Sequence, residues 1–342
     1  MKAPDFWWRP RPTLAARLLS PVGAAYGAVT AARMRRPGAE GPLPVICIGN
    51  FTAGGAGKTP TAIAVGELLA SFGEHPAFVT RGYGGSLAGP VVVDPACHTA
   101  AEVGDEPLLL ARHFPTVVAR DRHEGACEAD RRGATVAVLD DGLQNPSLVK
   151  DLALAVVDAA SGAGNGLCLP AGPLRAPLDR QFAQAHALVL VGTGEPGARV
   201  AALAQARGRP VFLGHLVPEP GAARLIAGRR LLAFAGIGRP EKFFATLADL
   251  GAEVVERAAF PDHHAFTEAD VADLAARAAA GDLLPVTTEK DAVRLAALSG
   301  TAGEFLARVM VLPVALAFEG ADRLRDLLHA TVVHWRAQND LT

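Results

Sequence analysis

"GNFTAGGAGKTP", residues 49–60, decides the fold. The apolar run "PVICIG" (44–49) before it reads as a strand, and "KTPTAIAVGELLASFG" (58–73) after it reads as an amphipathic helix. A glycine loop between a strand and a helix N-terminus is the context that phosphate binding requires. Glycines let backbone N–H groups turn toward an anion, and the start of the helix adds a favourable dipole. Lys58 would reach the β- and γ-phosphates of ATP, and Thr59 would place its hydroxyl on Mg2+. Pro60 is tolerated in the first helical turn, where its missing N–H would have been unpaired.

The loop departs from the spelling GxxxxGK[ST] at its first glycine, where Thr52 stands. Its core "GGAGKT" resembles the loop of the MinD and ParA-like ATPases, but Ala53 occupies the position of their lysine, which argues against a partitioning ATPase. Thr52, Ala53, Gly54, Gly55, Ala56, Gly57, Lys58 and Thr59 are the expected ATP contacts. The alternative is a glycine-rich turn capped by Thr59.

Further along, "TVAVLDDGLQN" (135–145) is an apolar strand ending in two carboxylates, as expected of a strand that reaches Mg2+ or its water shell. Either Asp140 or Asp141 could bind the metal while the other orients or caps; an Asp-Gly turn is the plain reading of the same residues. Only five lysines occur in 342 residues, so one at the end of a glycine loop stands out.

Apolar runs continue at 77–80, 91–93, 116–119, 152–158, 187–192 and 211–216, with amphipathic stretches between many of them. That alternation predicts an α/β fold, a P-loop NTPase-like parallel sheet. A Pro-, Gly- and Arg-rich segment, "VPEPGAARLIAGRR" (217–230), then precedes a second alternation that ends in "RVMVLPVALAF" (308–318) and a helix from about Ala321. The expected division is a basic helix over 1–36, a P-loop domain over 37–218 and a second, smaller α/β domain over 219–342 that closes a cleft.

Net charge is -2, which gives no argument for nucleic-acid binding. Four scattered cysteines form no CxxC pair or metal-ligand spacing and fit a reducing compartment. Charge is local instead: residues 1–36 carry Lys2, Arg9, Arg11, Arg17, Arg33, Arg35 and Arg36 against Asp5. Leu14, Leu18, Val22, Tyr26 and Val29 recur there at helical spacing after Phe6, Trp7 and Trp8. A signal peptide or a spanning helix is interrupted by Arg17, and Pro21 breaks the apolar stretch too. An interfacial helix on anionic lipid and a helix packed on the protein's own core are the readings that remain.

Taken together, "GNFTAGGAGKTP", "TRGYGG" (80–85), "VGDEPLLLA" (103–111), "LDDGLQN" (139–145), "GNGLCLPAGPLR" (164–175), "FAGIGRPEKFF" (234–244), "FPDHHAF" (260–266) and "TTEKDAVRL" (287–295) resemble, in order, the motifs of the tetraacyldisaccharide 4'-kinase family. The resemblance spans nearly the whole chain. It implies ATP- and Mg2+-dependent phosphorylation of the 4'-hydroxyl of an acylated disaccharide 1-phosphate, the lipid A precursor. The setting would be peripheral, at the cytoplasmic face of the bacterial inner membrane, with an anionic membrane surface as partner and no obligate protein partner. It further implies two lobes joined by a two-stranded linker, an N-terminal helix that touches the membrane, Asp105 acting on the acceptor hydroxyl, and His263 paired with it.

Beside these, Glu106 is a candidate metal or water ligand, Arg81 and Arg122 are candidate phosphate contacts because guanidinium forks match phosphate oxygens, and Gln144 is a candidate for Mg2+ or substrate. Lys290 and Asp291 have no assigned role beyond a helix cap with an ion pair over Thr288–Asp291. The family often has glutamate after "PAGPLR", where this chain has Ala176. Rival readings are a regulatory or metallochaperone P-loop NTPase and a soluble kinase for a small metabolite.

Overall fold

A computed structural model describes residues 3–296, 298 and 302–339. Lys2, counted above among the basic residues, lies outside them. Thirteen strands form two sheets among the described residues: β1 (Val45–Asn50), β2 (Pro76–Thr80), β3 (Val91–Val92), β4 (Thr116–Val118), β5 (Val136–Asp140), β6 (Leu152–Asp158), β7 (Ala187–Val191), β8 (Val211–Pro218), β9 (Arg230–Ala235), β10 (Glu253–Ala259), β11 (Leu284–Thr288), β12 (Met310–Leu312) and β13 (Val314–Phe318). The large sheet runs β13-β8-β7-β6-β1-β5-β2-β4-β3 and the small one β10-β9-β11-β12. The small sheet is parallel throughout; in the large one β3 and β13 run antiparallel to their neighbours.

Burial on both faces explains why the central strands are continuous apolar runs: β1, β2, β5, β6 and β7 are buried at every residue. Apolar cores lie on the two faces of the large sheet, one including Leu139, Leu143 and Phe182, the other Ile46, Val65 and Phe78. Strand order reverses at β1, which pairs with β5 on one side and β6 on the other. Crevices at such reversals, beyond the carboxyl ends of the strands, are where open α/β sheets bind ligands.

The run "RVMVLPVALAF" does not form one strand. Pro313 has no N–H to give a ladder, and the chain changes sheets there: β12 pairs with β11, whereas β13 pairs with β8 along Val314–Phe318. The last helix, Ala321–Asn339, follows β13 and buries Leu324, Leu328 and Val332 in a core of the large sheet. The expected small domain over 219–342 is therefore corrected at its end: residues 314–339 belong with the large sheet. β8 carries the chain out to the small lobe and β13 brings it back.

The N-terminal helix, Leu14–Met34, starts on a Thr13 cap and turns its small residues inward. Ala16, Gly23, Gly27, Thr30 and Met34 are buried, and a Cβ at Gly27 would stand 2.8 Å from Cys168 Sγ. Leu14, Leu18, Val22, Tyr26 and Val29 are all exposed, Leu14 by 75%. Packing on the protein's own core does not account for this apolar stripe.

Candidate active site

The loop after β1 turns on Gly54 and Gly57, at φ 104° and 90°, conformations that glycine adopts without strain. Gly57 caps the helix Lys58–Ala70, so the helix start points at the loop's hollow. A second segment buttresses the loop: Ala53 N–H donates to the Pro173 carbonyl at 2.8 Å and Arg175 N–H to the Phe51 carbonyl at 2.9 Å. The Arg175 guanidinium forks between two partners: Nη1 donates to both oxygens of Asp141, at 2.8 and 2.9 Å, and Nε to the Thr52 carbonyl at 3.2 Å. Asp141 itself has φ 57°, an unusual conformation for a non-glycine residue that this fork and Lys58, 3.6 Å away, hold in place.

Asp140 ends β5 directly beside β1, opposite Ile48. Both of its carboxylate oxygens are buried without a hydrogen-bond partner. Burial first, then repulsion from Glu106, pushes its carboxyl up to about 7. Asp141 moves the other way: burial raises it, but Lys58 and Arg175 outweigh burial and hold it down. An unsatisfied buried carboxylate beside the Thr59 hydroxyl and Glu106, which lie 3.5 Å apart, is an oxygen-ligand set suited to a hard divalent cation such as Mg2+. The two strand-end aspartates thus differ: Asp140 is unpartnered, whereas Asp141 is committed to Arg175 and Lys58.

Asp105 begins the short helix Asp105–Leu110, and its partners come from the small lobe. His263 Nδ1 lies 3.2 Å from Oδ2 and Arg294 Nε 3.1 Å from the same atom. Burial pushes the Asp105 carboxyl up, but the His263 hydrogen bond and the Lys290 and Arg294 charges hold it at about 2. The same hydrogen bond raises the His263 imidazole above its ordinary value against a smaller opposing effect of burial. His263 sits at φ 56° with its N–H on the Gly236 carbonyl, and the Tyr83 ring lies 5.5 Å away. His264 turns inward, bonding Asp270 at 3.1 Å and stacking on Phe260.

Lys290 and Asp291 stand just after β11, where Thr288 caps the helix Glu289–Leu295. The Asp291 carboxylate takes the Thr288 hydroxyl at 2.6 Å, the Gly236 N–H at 3.0 Å and Arg294 at 3.3 Å, so it is a scaffold residue. Lys290 ion-pairs with Glu106 across the lobe boundary. On the other flank Asp158, at the end of β6, receives Lys242 and, at 3.3 Å, Arg239. The small lobe is therefore pinned to the large one at both sides of the loop, and Gly238 comes so close that a Cβ there would stand 3.4 Å from Gly55 N.

Between the lobes lies a cavity of about 920 Å3 lined by Gly54–Thr59, Arg81, Glu106, Arg122, Asp140, Asp141, Gln144 and His263. Arg81 is exposed at its wall. Arg122 is buried, donates to the Ala119 carbonyl at 2.7 Å and leaves Nε unpaired. Gln144 gives its amide nitrogen to the Asn50 carbonyl and to Gln181, both at 2.7 Å, which ties β1 to the scaffold rather than presenting a donor to substrate. Ala176 is fully buried and its carbonyl accepts from Gln181 at 2.7 Å. Arg175, Asp158, Lys242 and Arg294 had no role assigned from sequence; the only signal was that each lies inside or beside a glycine-rich or acidic motif.

A glycine loop at a strand reversal, an unpartnered strand-end carboxylate and an Asp–His pair facing them across a cleft define a P-loop phosphotransferase. The family model for tetraacyldisaccharide-1-P 4'-kinase matches residues 15–333. The chain belongs to that family. It is 60% identical over 330 residues to the tetraacyldisaccharide 4'-kinase of Methylorubrum extorquens, covering 96% of this chain and 98% of that one. It is 58% identical over 322 residues to the enzyme of Methylobacterium nodulans, covering 94% and 93%. A crystal structure of LpxK from Aquifex aeolicus in complex with ATP superposes with a TM-score of 0.71 at 25% identity, covering 93% of this chain and all of that one.

Proposed function

We propose that this chain transfers the γ-phosphoryl group of ATP to the 4'-hydroxyl of a tetraacyldisaccharide 1-phosphate at the surface of an anionic membrane. The observation that carries it is the meeting, in one cleft, of the glycine loop with His263, whose Nδ1 lies 3.2 Å from Asp105 Oδ2. Loop amides from Gly54 to Gly57 and the Lys58 ammonium bind the phosphate chain and neutralise charge that grows as it is transferred, while the Ala53 N–H, held by the Pro173 carbonyl, shapes the loop. Asp140, Thr59 and Glu106 would hold Mg2+, which would supply further neutralisation of phosphate charge. The acceptor oxygen forms its bond to the γ-phosphorus as the bond to the bridging oxygen breaks, leaving ADP. Its proton passes to the Asp105–His263 pair, because a carboxylate held at about 2 is by itself a weak base. Arg81 and Arg122 on the cavity wall suit the acceptor's own phosphate or the nucleotide's.

The N-terminal helix supports membrane contact: its apolar stripe is exposed, arginines flank it, and Tyr26 and Arg33 also line the cleft. Among the described residues no helix is long and apolar enough to cross a membrane. A peripheral position at the cytoplasmic face, where ATP is available, follows from the proposed reaction. The test offers labelled ATP with three acceptors: the acylated disaccharide 1-phosphate, its deacylated form, and water. Label on the lipid, with little on the others, is expected; transfer to the deacylated sugar at equal rate would support a soluble metabolite kinase instead.

A further inference from the structure

The small lobe contributes a cation to the centre of the site. Lys290 projects from the first turn of the helix Glu289–Leu295, spans the lobe boundary and ends on Oε1 of Glu106. That same oxygen is the one the Thr59 hydroxyl approaches at 3.5 Å. Asp140 lines the same cavity and feels the Glu106 charge, with both of its carboxylate oxygens buried and unpartnered. Other cations nearby have carboxylates of their own: Lys58 and Arg175 pair with Asp141, and Arg294 with Asp105 and Asp291. Lys290 is thus the contact counter-charge for Glu106, one of the carboxylates a divalent cation would use, and it lines the cleft.

We infer that Lys290 is a displaceable counter-ion: in the nucleotide-free enzyme its ammonium holds Glu106, and metal-nucleotide binding moves it off that carboxylate onto phosphate oxygens. This rests on the reading of the loop as the metal-nucleotide site. An ammonium and a divalent cation cannot both occupy one carboxylate oxygen at contact distance without strong repulsion, so one must yield. Phosphate oxygens offer the displaced ammonium several acceptors, which suits lysine's compact, rotatable charge. The exchange gives the small lobe a second part in the reaction beside His263: its lysine would stand in for the metal before binding and join it afterwards. Lys290 is in this sense a positioning residue for Glu106 and a phosphate ligand in turn.

The experiment measures Mn2+ binding to the purified full chain, with and without a non-hydrolysable ATP analogue, for wild type, Lys290→Met and Lys290→Arg. Without nucleotide, Lys290→Met should bind Mn2+ about tenfold tighter than wild type, the scale expected when one positive charge is removed near a dication. With the analogue present, the same variant should bind the metal-nucleotide complex at least tenfold more weakly, and Lys290→Arg should restore both properties in part. A cooperative thermal transition of each variant shows that it folds. Nucleotide-free Mn2+ affinity equal in wild type and Lys290→Met would overturn the assignment while leaving the nucleotide site standing. Failure of wild type to bind Mn2+ with the analogue would overturn the site reading and this inference with it.

Discussion

His263 Nδ1 lies 3.2 Å from Oδ2 of Asp105, although 158 residues separate the two and they belong to different lobes. Arg294 Nε shares that oxygen at 3.1 Å, so the carboxylate is anchored by one small-lobe cation and paired with a small-lobe imidazole. Lobe docking, rather than local sequence, brings Asp105 and His263 together, and the chemistry proposed for them sets the first prediction.

Asp105 is ionised throughout the neutral range, held at about 2, while its hydrogen bond raises His263 above 6.5. Asp262, 3.9 Å from His263 Nε2, and Glu106 push the same way. The imidazole must lose its proton before it can help accept one, so kcat should rise with pH through a value above 6.5. His263→Asn should remove that limb and lower kcat by roughly a hundredfold, the lower end of acid–base contributions. The stability linkage has the opposite sense: a raised imidazole contributes fully below its unfolded value and is lost as pH rises through the folded one. A limb that persists unchanged in the variant would place the titration elsewhere.

Asp140 makes the reverse trade. With its carboxyl pushed up to about 7, ionisation destabilises the metal-free fold. Stability should fall as pH rises from about 4, the unfolded carboxyl value, and level off above the folded one. Asp140→Asn should therefore raise Tm at pH about 8 without metal, on the same linkage argument, while metal-dependent nucleotide binding is lost. A calorimetric scan showing a lower Tm for the variant would contradict the role of this carboxylate as a metal ligand kept unpaired.

Arg175 links Asp141 to the Thr52 carbonyl, and lysine cannot reproduce a two-pronged contact. Arg175→Lys should weaken nucleotide binding about tenfold, the scale of one charged hydrogen bond, with a smaller effect on kcat than on KM. Titration calorimetry with the ATP analogue checks this; unchanged affinity would show that the loop holds its shape without the fork.

Membrane contact and packing separate cleanly on the N-terminal helix. Replacing exposed Leu14, Leu18, Val22 and Val29 with serine should cut binding to anionic vesicles more than a hundredfold, since each aliphatic side chain contributes about 1.5 kcal/mol or more on leaving water. Tm should barely change. Gly27→Leu should do the opposite and lower Tm, because a Cβ there already meets Cys168 Sγ at 2.8 Å. Vesicle binding that survives the four serines would assign the stripe another partner.

What the sequence made legible was local. The strand, loop and helix around residues 44–73 and the carboxylates ending β5 are spelled out in short consecutive runs whose periodicity and glycines have one economical structure. The relationships that position the site are long-range and carry no periodic signal. Arg175 reaches Asp141 from 34 residues away, and Lys290 reaches Glu106 from 184. Gln144 sits beside the carboxylates in sequence, yet its amide turns into the scaffold, because buried backbone acceptors at Asn50 needed a donor. Pro313 split an apolar run between two sheets, a change of partner that hydrophobicity alone does not register. The N-terminal helix reversed the usual rule, with small residues inside and large apolar ones outside.

The proposed reaction transfers a phosphoryl group from ATP to one sugar hydroxyl. The most direct measurement is phosphorus NMR of the lipid product after incubation of wild-type protein and Lys58→Ala with ATP, Mg2+ and the tetraacyldisaccharide 1-phosphate in mixed micelles. A new phosphomonoester coupled to the 4'-carbon, formed by wild type and reduced at least a hundredfold in the variant, is the predicted result, in line with the loss of one electrostatic contact to the transferred group. ATP hydrolysis without any new lipid phosphomonoester from folded wild-type protein would rule out the lipid as acceptor.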